Sequence, residues 1–160
     1  MTDTPPPRDP TTAARRRRVT VVVGCDGHPD GDAALRFAAT EAQLRHARLV
    51  VVTAYRQPVD PDLDDFDTPQ VQLRRRATAT ATFALRRALN QPTGPLPAVE
   101  IVTVDDEPSR AILDHAADAV MVIIGAHDHG LVKRLFTSLT SRRLLAHSHI
   151  PVTIVPTSPH

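Results

Sequence analysis

The apolar positions of this 160-residue chain fall into two alternating kinds of run. The first kind is short and rich in β-branched residues: "VTVVVGC" (Val19–Cys25), "RLVVVTAY" (Arg48–Tyr55), "AVEIVTV", "AVMVIIG" and "IPVTIVP" (Ile150–Pro156). Near-continuous apolar runs of this length, rather than strict alternation, mark strands buried on both faces. The second kind repeats at helical spacing. "PDGDAALRFAATEAQLRHA" puts Leu35, Ala38, Ala39 and Ala42 on one side, which predicts an amphipathic helix from about Pro29 to His46. "QVQLRRRATATATFALRRALN" does the same with Leu73, Ala77, Ala81, Ala84 and Ala88, although its threonines lower the helix propensity. "EPSRAILDHAA" reads as a short helix with Pro108 suited to its first turn, and a last helix covers roughly Thr140 to His147.

Strand and helix alternate throughout, so the prediction is one α/β domain over residues 19–156, built on a parallel sheet with helices on both faces. Right-handed crossovers leave a doubly wound, Rossmann-like sheet as the expected topology, with ligands at the carboxyl ends of the strands where the winding reverses. Two loops then matter. "GCDGHPDG" (Gly24–Gly31) follows the first strand, and "GAHDHG" (Gly125–Gly130) follows the fourth. In a sheet that starts at its centre these strands are neighbours, and the loops face each other across one crevice. A third loop, "RQPVDPDLDDFDTP", carries five Asp and three Pro and is expected to be mobile or functional.

Composition refines this picture at a few points. Aromatic residues make up 3% of the chain, so the core must be Val, Ile, Leu and Ala. The single Cys25 excludes an intramolecular disulfide framework and fits a reducing cytoplasm. No apolar run approaches a membrane span, and no apolar stretch precedes the N-terminal arginines as a secretory signal requires. Charge is unevenly placed. Residues 1–18 hold five arginines against two acids, and the rest of the chain holds 14 basic against 16 acidic side chains. Residues 1–18 therefore read as a Pro-rich basic tail, too poor in apolar surface to offset its ordering entropy and so expected to be disordered. Residues 157–160 form a short C-terminal tail. The arginine run is either a solvated tail or a contact for an acidic partner. Without interleaved aromatics, nucleic acid is not the expected partner.

The chain resembles the universal stress protein family from Val19 to Pro156. "VVVGCDGHPDGDAALRFAATEA" is similar to the family's opening strand, acidic loop residue and first helix. "MVIIGAHDHGLVKRLFTSLTSRRLLAHSHIPVTIVP" is similar to its closing segment and last strand. The resemblance implies a five-stranded parallel sheet of order 3-2-1-4-5 and a homodimer formed along the last strand, here through Val152 and Ile154. One branch of the family binds ATP through Gly, two residues, Gly, nine residues, Gly, then Ser or Thr. Carried over, that motif falls on Gly125, Asp128, Ser138 and Leu139, so one of the four positions matches. The resemblance further implies that Asp26 meets the adenosine part of a nucleotide, that Ala54 lines a base pocket, and that Ser141 supplies a hydroxyl. The candidate nucleotide-binding set is Gly24, Asp26, Ala54, Gly125, His127, Gly130, Ser138, Thr140 and Ser141.

The departures have physical consequences. Glycine lets backbone amides approach phosphate, whereas Asp128 adds a side chain and a like charge. At ~4 Å in a near-surface dielectric such a pair costs on the order of several kcal/mol before screening. Leu139 removes a hydroxyl donor, while Ser138 suits a helix start. Lys133, Arg134, His127 and His129 either compensate or are solvated surface. ATP binding is therefore expected to be weak or absent; Mg²⁺ bridging Asp128 and the phosphates is the route by which it would persist. Asp26 has a second reading as a turn cap. His28, His127 and His129, with Asp26 or Asp128, form a weaker candidate set for Zn²⁺ or Ni²⁺. Cys25, beside Asp26, reads as a packed thiol rather than a reactive one. No nucleophile elbow, Walker-type phosphate loop, paired-cysteine zinc motif or catalytic carboxylate pair appears. Binding or regulation is thus expected rather than catalysis. The competing readings are a genuine ATP-binding protein with slow hydrolysis and a ligand-free protein-interaction module.

Overall fold

The computed structural model describes residues 19–56, 69–90, 94–126 and 138–156. The two tails, the acidic loop and the segment carrying His127, Asp128, His129, Gly130, Lys133 and Arg134 lie outside the described residues. Five strands, β1 (Thr20–Gly24), β2 (Arg48–Tyr55), β3 (Val99–Asp105), β4 (Met121–Gly125) and β5 (Val152–Val155), form one sheet of order β3-β2-β1-β4-β5. Every pairing is parallel, with Val22 opposite Val50 on one side and Val122 on the other. The expected doubly wound architecture and strand order are both present.

Four helices cover the sheet: α1 (Asp32–Leu44), α2 (Pro69–Ala88), α3 (Pro108–Ala116) and α4 (Leu139–His147). Strand alternation divides the core in two. Val21, Val23, Leu49, Val51 and Ile123 pack against Ala34, Leu35 and Ala38 of α1 and Ala84 and Ala88 of α2. Val22, Val50, Val52, Val122 and Ile124 face the other way, against Ala111, Ile112 and Ala116 of α3 and Leu144 of α4. Small alanines on the helix faces let the helices sit close to a Val/Ile-rich sheet, which offsets the shortage of aromatic bulk. The central strands are buried apart from Gly24 at the end of β1 and Met121 and Gly125 at the two ends of β4, in keeping with their unbroken apolar runs. The edge strands β3 and β5 are only half-buried or exposed along their length.

Two local differences from the sequence expectation bear on the crevice. The first helix does not begin at Pro29. Pro29–Gly31 form a single 3₁₀ turn, and α1 starts at Asp32 and ends at Leu44. A Cβ on Gly125 would stand 3.3 Å from the Cα of Gly31, so the turn lies against the end of β4, backbone to backbone. The fourth helix starts at Leu139, with Ser138 as its N-cap. No helix among the described residues is long and apolar enough to cross a membrane.

Candidate functional site

The sheet reverses its winding between β1 and β4, and the carboxyl ends of these two strands open into a cavity of about 200 Å³. Seven sequence-predicted residues line it: Gly24, Asp26, Ala54, Gly125, Ser138, Thr140 and Ser141. His127 and Gly130 lie outside the described residues. Sequence reasoning missed the rest of the wall, which comes from Val52, Ile124, Pro108, Ile112, Cys25 and Gly31. Val52 and Ile124 could have been found from strand alternation, since they share a sheet face with Ala54 and Val22. Pro108 and Ile112 carry no local signal; they arrive because α3 crosses the opposite face of the sheet from α1.

Both strand-end glycines are closely approached. A Cβ on Gly24 would meet Ile112 Cδ1 at 2.7 Å, so the Ile112 side chain of α3 occupies the space that a side chain there would take. Asp26 does act as a turn cap. Its Oδ1 accepts a hydrogen bond from the His28 amide at 2.9 Å, while the residue stays exposed on the cavity wall. The cap and the wall position coexist, so capping does not remove Asp26 from the site. His28 Nδ1 lies 3.2 Å from Asp30 Oδ2 and caps the 3₁₀ turn. Among the described residues no three His, Cys, Asp or Glu side chains are grouped to hold a metal. Two of the three candidate ligand histidines, His127 and His129, lie outside them.

At the opposite wall, the first turn of α4 enters the cavity. Ser138 Oγ accepts from the Ser141 amide at 3.0 Å and lies 2.7 Å from Ser141 Oγ. Ser141 is 5% exposed, whereas Leu139, at the position of the family motif's hydroxyl, is 58% exposed. Ser138 is thus engaged in capping, and the N-terminus of α4 is the anion-attracting end of its dipole.

Glu107 caps α3 from beside Pro108. It accepts from the Ser109 amide at 3.2 Å, from the Ser109 hydroxyl and from the Arg110 amide at 3.3 Å. Arg143 of α4 pairs with it at 3.1 Å, which joins two helices that border the cavity. Burial pushes the Glu107 carboxyl up, but the hydrogen bonds from Ser109, Arg110 and Arg143 outweigh it and hold it below the ordinary carboxylate range. Cys25 is shifted the other way. Burial first, and then the Asp26 charge, push its thiol up against the weaker pull of Gly27, Thr53 and Arg87, so it stays protonated at neutral pH. That matches the packed thiol expected from the sequence.

The universal stress protein family model matches residues 18–156. The chain belongs to this family. A universal stress protein of Mycobacterium tuberculosis is 30% identical over 134 residues. The match covers 84% of this chain and 44% of that protein, so the chain spans less than half the length of this relative. Among solved structures, a universal stress protein in complex with cAMP is 23% identical, with a TM-score of 0.57, covering 88% of this chain and 98% of that one. The universal stress protein of Archaeoglobus fulgidus in complex with dAMP is 22% identical, with a TM-score of 0.58, covering 86% and 97%. These two likenesses show the fold.

The Glu107 cap gives a signed pH dependence. A depressed folded-state value means that its contribution is fully present above the unperturbed value of 4.5 and is lost as the pH falls through the lower folded value. In urea unfolding at about pH 7 and about pH 3, Glu107→Gln is expected to lose less stability on acidification than the parent. An equal or larger acid loss in the variant would contradict the assignment.

Proposed function

We propose that this universal stress protein is a binding and regulatory protein rather than a catalyst. In this reading its crevice takes the nucleoside end and one phosphate of an adenine nucleotide and holds a triphosphate poorly. One observation carries the reading: an apolar wall (Val52, Ala54, Ile112, Ile124), the Asp26 carboxylate and the first turn of α4 meet in a single cavity. An apolar wall suits a base, a carboxylate suits ribose hydroxyls, and a helix N-terminus suits one phosphate. The cavity, about 200 Å³, is smaller than the ~300–1,000 Å³ typical of sites that enclose a whole drug-sized ligand. The further phosphates of a triphosphate would lie outside it, and in sequence the family motif that would meet them has Asp128 and Leu139 in place of a glycine and a hydroxyl. The two relatives with cAMP and dAMP, each with a single phosphate group, support the same reading.

Calorimetric titration separates the alternatives. AMP is expected to bind at least about tenfold more tightly than ATP with Mg²⁺, a difference of about 1.4 kcal/mol. ATP with Mg²⁺ binding as tightly as AMP, or more so, would overturn the reading and favour Mg²⁺ bridging at Asp128.

A second part of the proposal concerns assembly. β5 pairs with β4 alone among the described residues, and its Val152 and Ile154 are only half-buried. An apolar edge is an aggregation liability unless it is paired, and two such edges related by a two-fold axis satisfy each other. A dimer in size-exclusion chromatography with light scattering is the expected result, weakened by Ile154→Lys. A parent chain that stays monomeric at high micromolar concentration would rule this out.

A further inference from the structure

α2 carries five arginines, and Arg87 is the one turned into the molecule; Arg74, Arg75, Arg76 and Arg86 are exposed. Its guanidinium grips Asp32 with two bonds, Nε to Oδ2 and Nη2 to Oδ1, each 2.6 Å long. The same Nη2 donates to the Gly27 carbonyl at 3.3 Å, and the Phe83 ring lies 5.6 Å beneath the guanidinium carbon. Asp32 opens α1, where a carboxylate is favoured by the helix dipole, and its side chain is 12% exposed. The two groups that Arg87 holds stand at opposite ends of the loop Gly27–Asp32. Of the loop residues on the cavity wall, Gly31 lies between these two groups and Asp26 directly precedes the first of them. Asp26 is the residue before Gly27, its carboxylate caps the His28 amide, and Gly31 rests against Gly125.

Gly27 gives the clamp its geometry. Its φ of 84° is open to glycine and strained for other residues, and a Cβ there would stand 2.1 Å from Thr80 of α2. The bare Gly27 backbone therefore lies against α2, with its carbonyl in reach of Arg87. A planar fork can hold a carboxylate and a carbonyl together; a lysine in its place is a single point charge.

We propose that Arg87 is a positioning residue for the crevice: by bracing Gly27 and Asp32 from α2, it fixes the angle at which Asp26 is presented to a bound nucleotide. This rests on the nucleotide reading for its ligand, but the bracing itself can be measured without one. The test uses the full chain with Arg87→Lys, Asp26→Ala and the double variant. In nucleotide-free protein, amide exchange at His28 is expected to accelerate by about tenfold in Arg87→Lys, because its acceptor on Asp26 loses its fixed position. AMP affinity is expected to fall by about fivefold in Arg87→Lys, and by less than about twofold when the same change is made in Asp26→Ala. A purely structural role would lower affinity equally in both backgrounds.

Unchanged His28 exchange in Arg87→Lys, or losses that multiply independently in the double variant, would overturn the proposal. If the parent binds no AMP, the nucleotide reading fails and the exchange measurement alone decides whether the clamp exists. If Arg87→Lys does not fold, Phe83→Leu, which removes only the ring beneath the guanidinium, replaces it in the same cycle. Smaller shifts in the same direction would support the clamp, and none would refute it.

Discussion

The crevice depends on two strands that end in bare backbone. β1 and β4 lie side by side where the sheet reverses its winding, and each ends in glycine. At Gly24 the missing side chain admits Ile112 of α3; at Gly125 it admits the 3₁₀ turn of Pro29–Gly31. One helix can therefore close over one face of the strand ends while the first loop settles on the other. A side chain at Gly24 would displace the tip of Ile112 from the cavity wall, and one at Gly125 would press on the Gly31 backbone.

Around that constraint the wall is assembled from elements remote in sequence. Base-sized apolar surface comes from β2, β4 and α3, a carboxylate from the loop after β1, and an anion-attracting helix end from α4. The supports are polar and partly buried. Glu107 with Arg143 joins α3 to α4, and Arg87 with Asp32 joins α2 to α1. Each pair has one partner at a helix start, where the dipole favours its negative charge. Charge is thus used beneath the site to set element positions, while the wall itself is largely uncharged apart from Asp26.

Much of this architecture was legible in the sequence, for physical reasons. A central strand of a parallel sheet must be apolar on both faces, so Val19–Cys25 and Arg48–Tyr55 announced themselves as unbroken runs. The alanine spacing of α1 and α2 marked their buried sides, and all but the half-buried Leu73 of the residues named for those sides are buried. The strand-end glycines lie in the loops that the topology brings together, whereas Asp26, Ala54 and the Ser138–Ser141 turn were carried over from the family resemblance. What stayed hidden is contact between distant segments. Arg87 is one of five similar arginines until Asp32, 55 residues away, pairs with it. Ile112 looks like any helix-core residue until α3 crosses the crevice. The Pro29–Gly31 turn meets Gly125 only once β4 lies beside β1, which no local propensity encodes.

In the proposed function this one cavity receives the nucleoside end of an adenine nucleotide. A crystal structure of the chain grown with AMP tests it most directly. The base is predicted against Ala54, Val52 and Ile112, with the ribose hydroxyls on Asp26 and the phosphate at the first turn of α4. A nucleotide bound elsewhere, or a crevice closed by its own side chains in the presence of saturating AMP, would contradict the account.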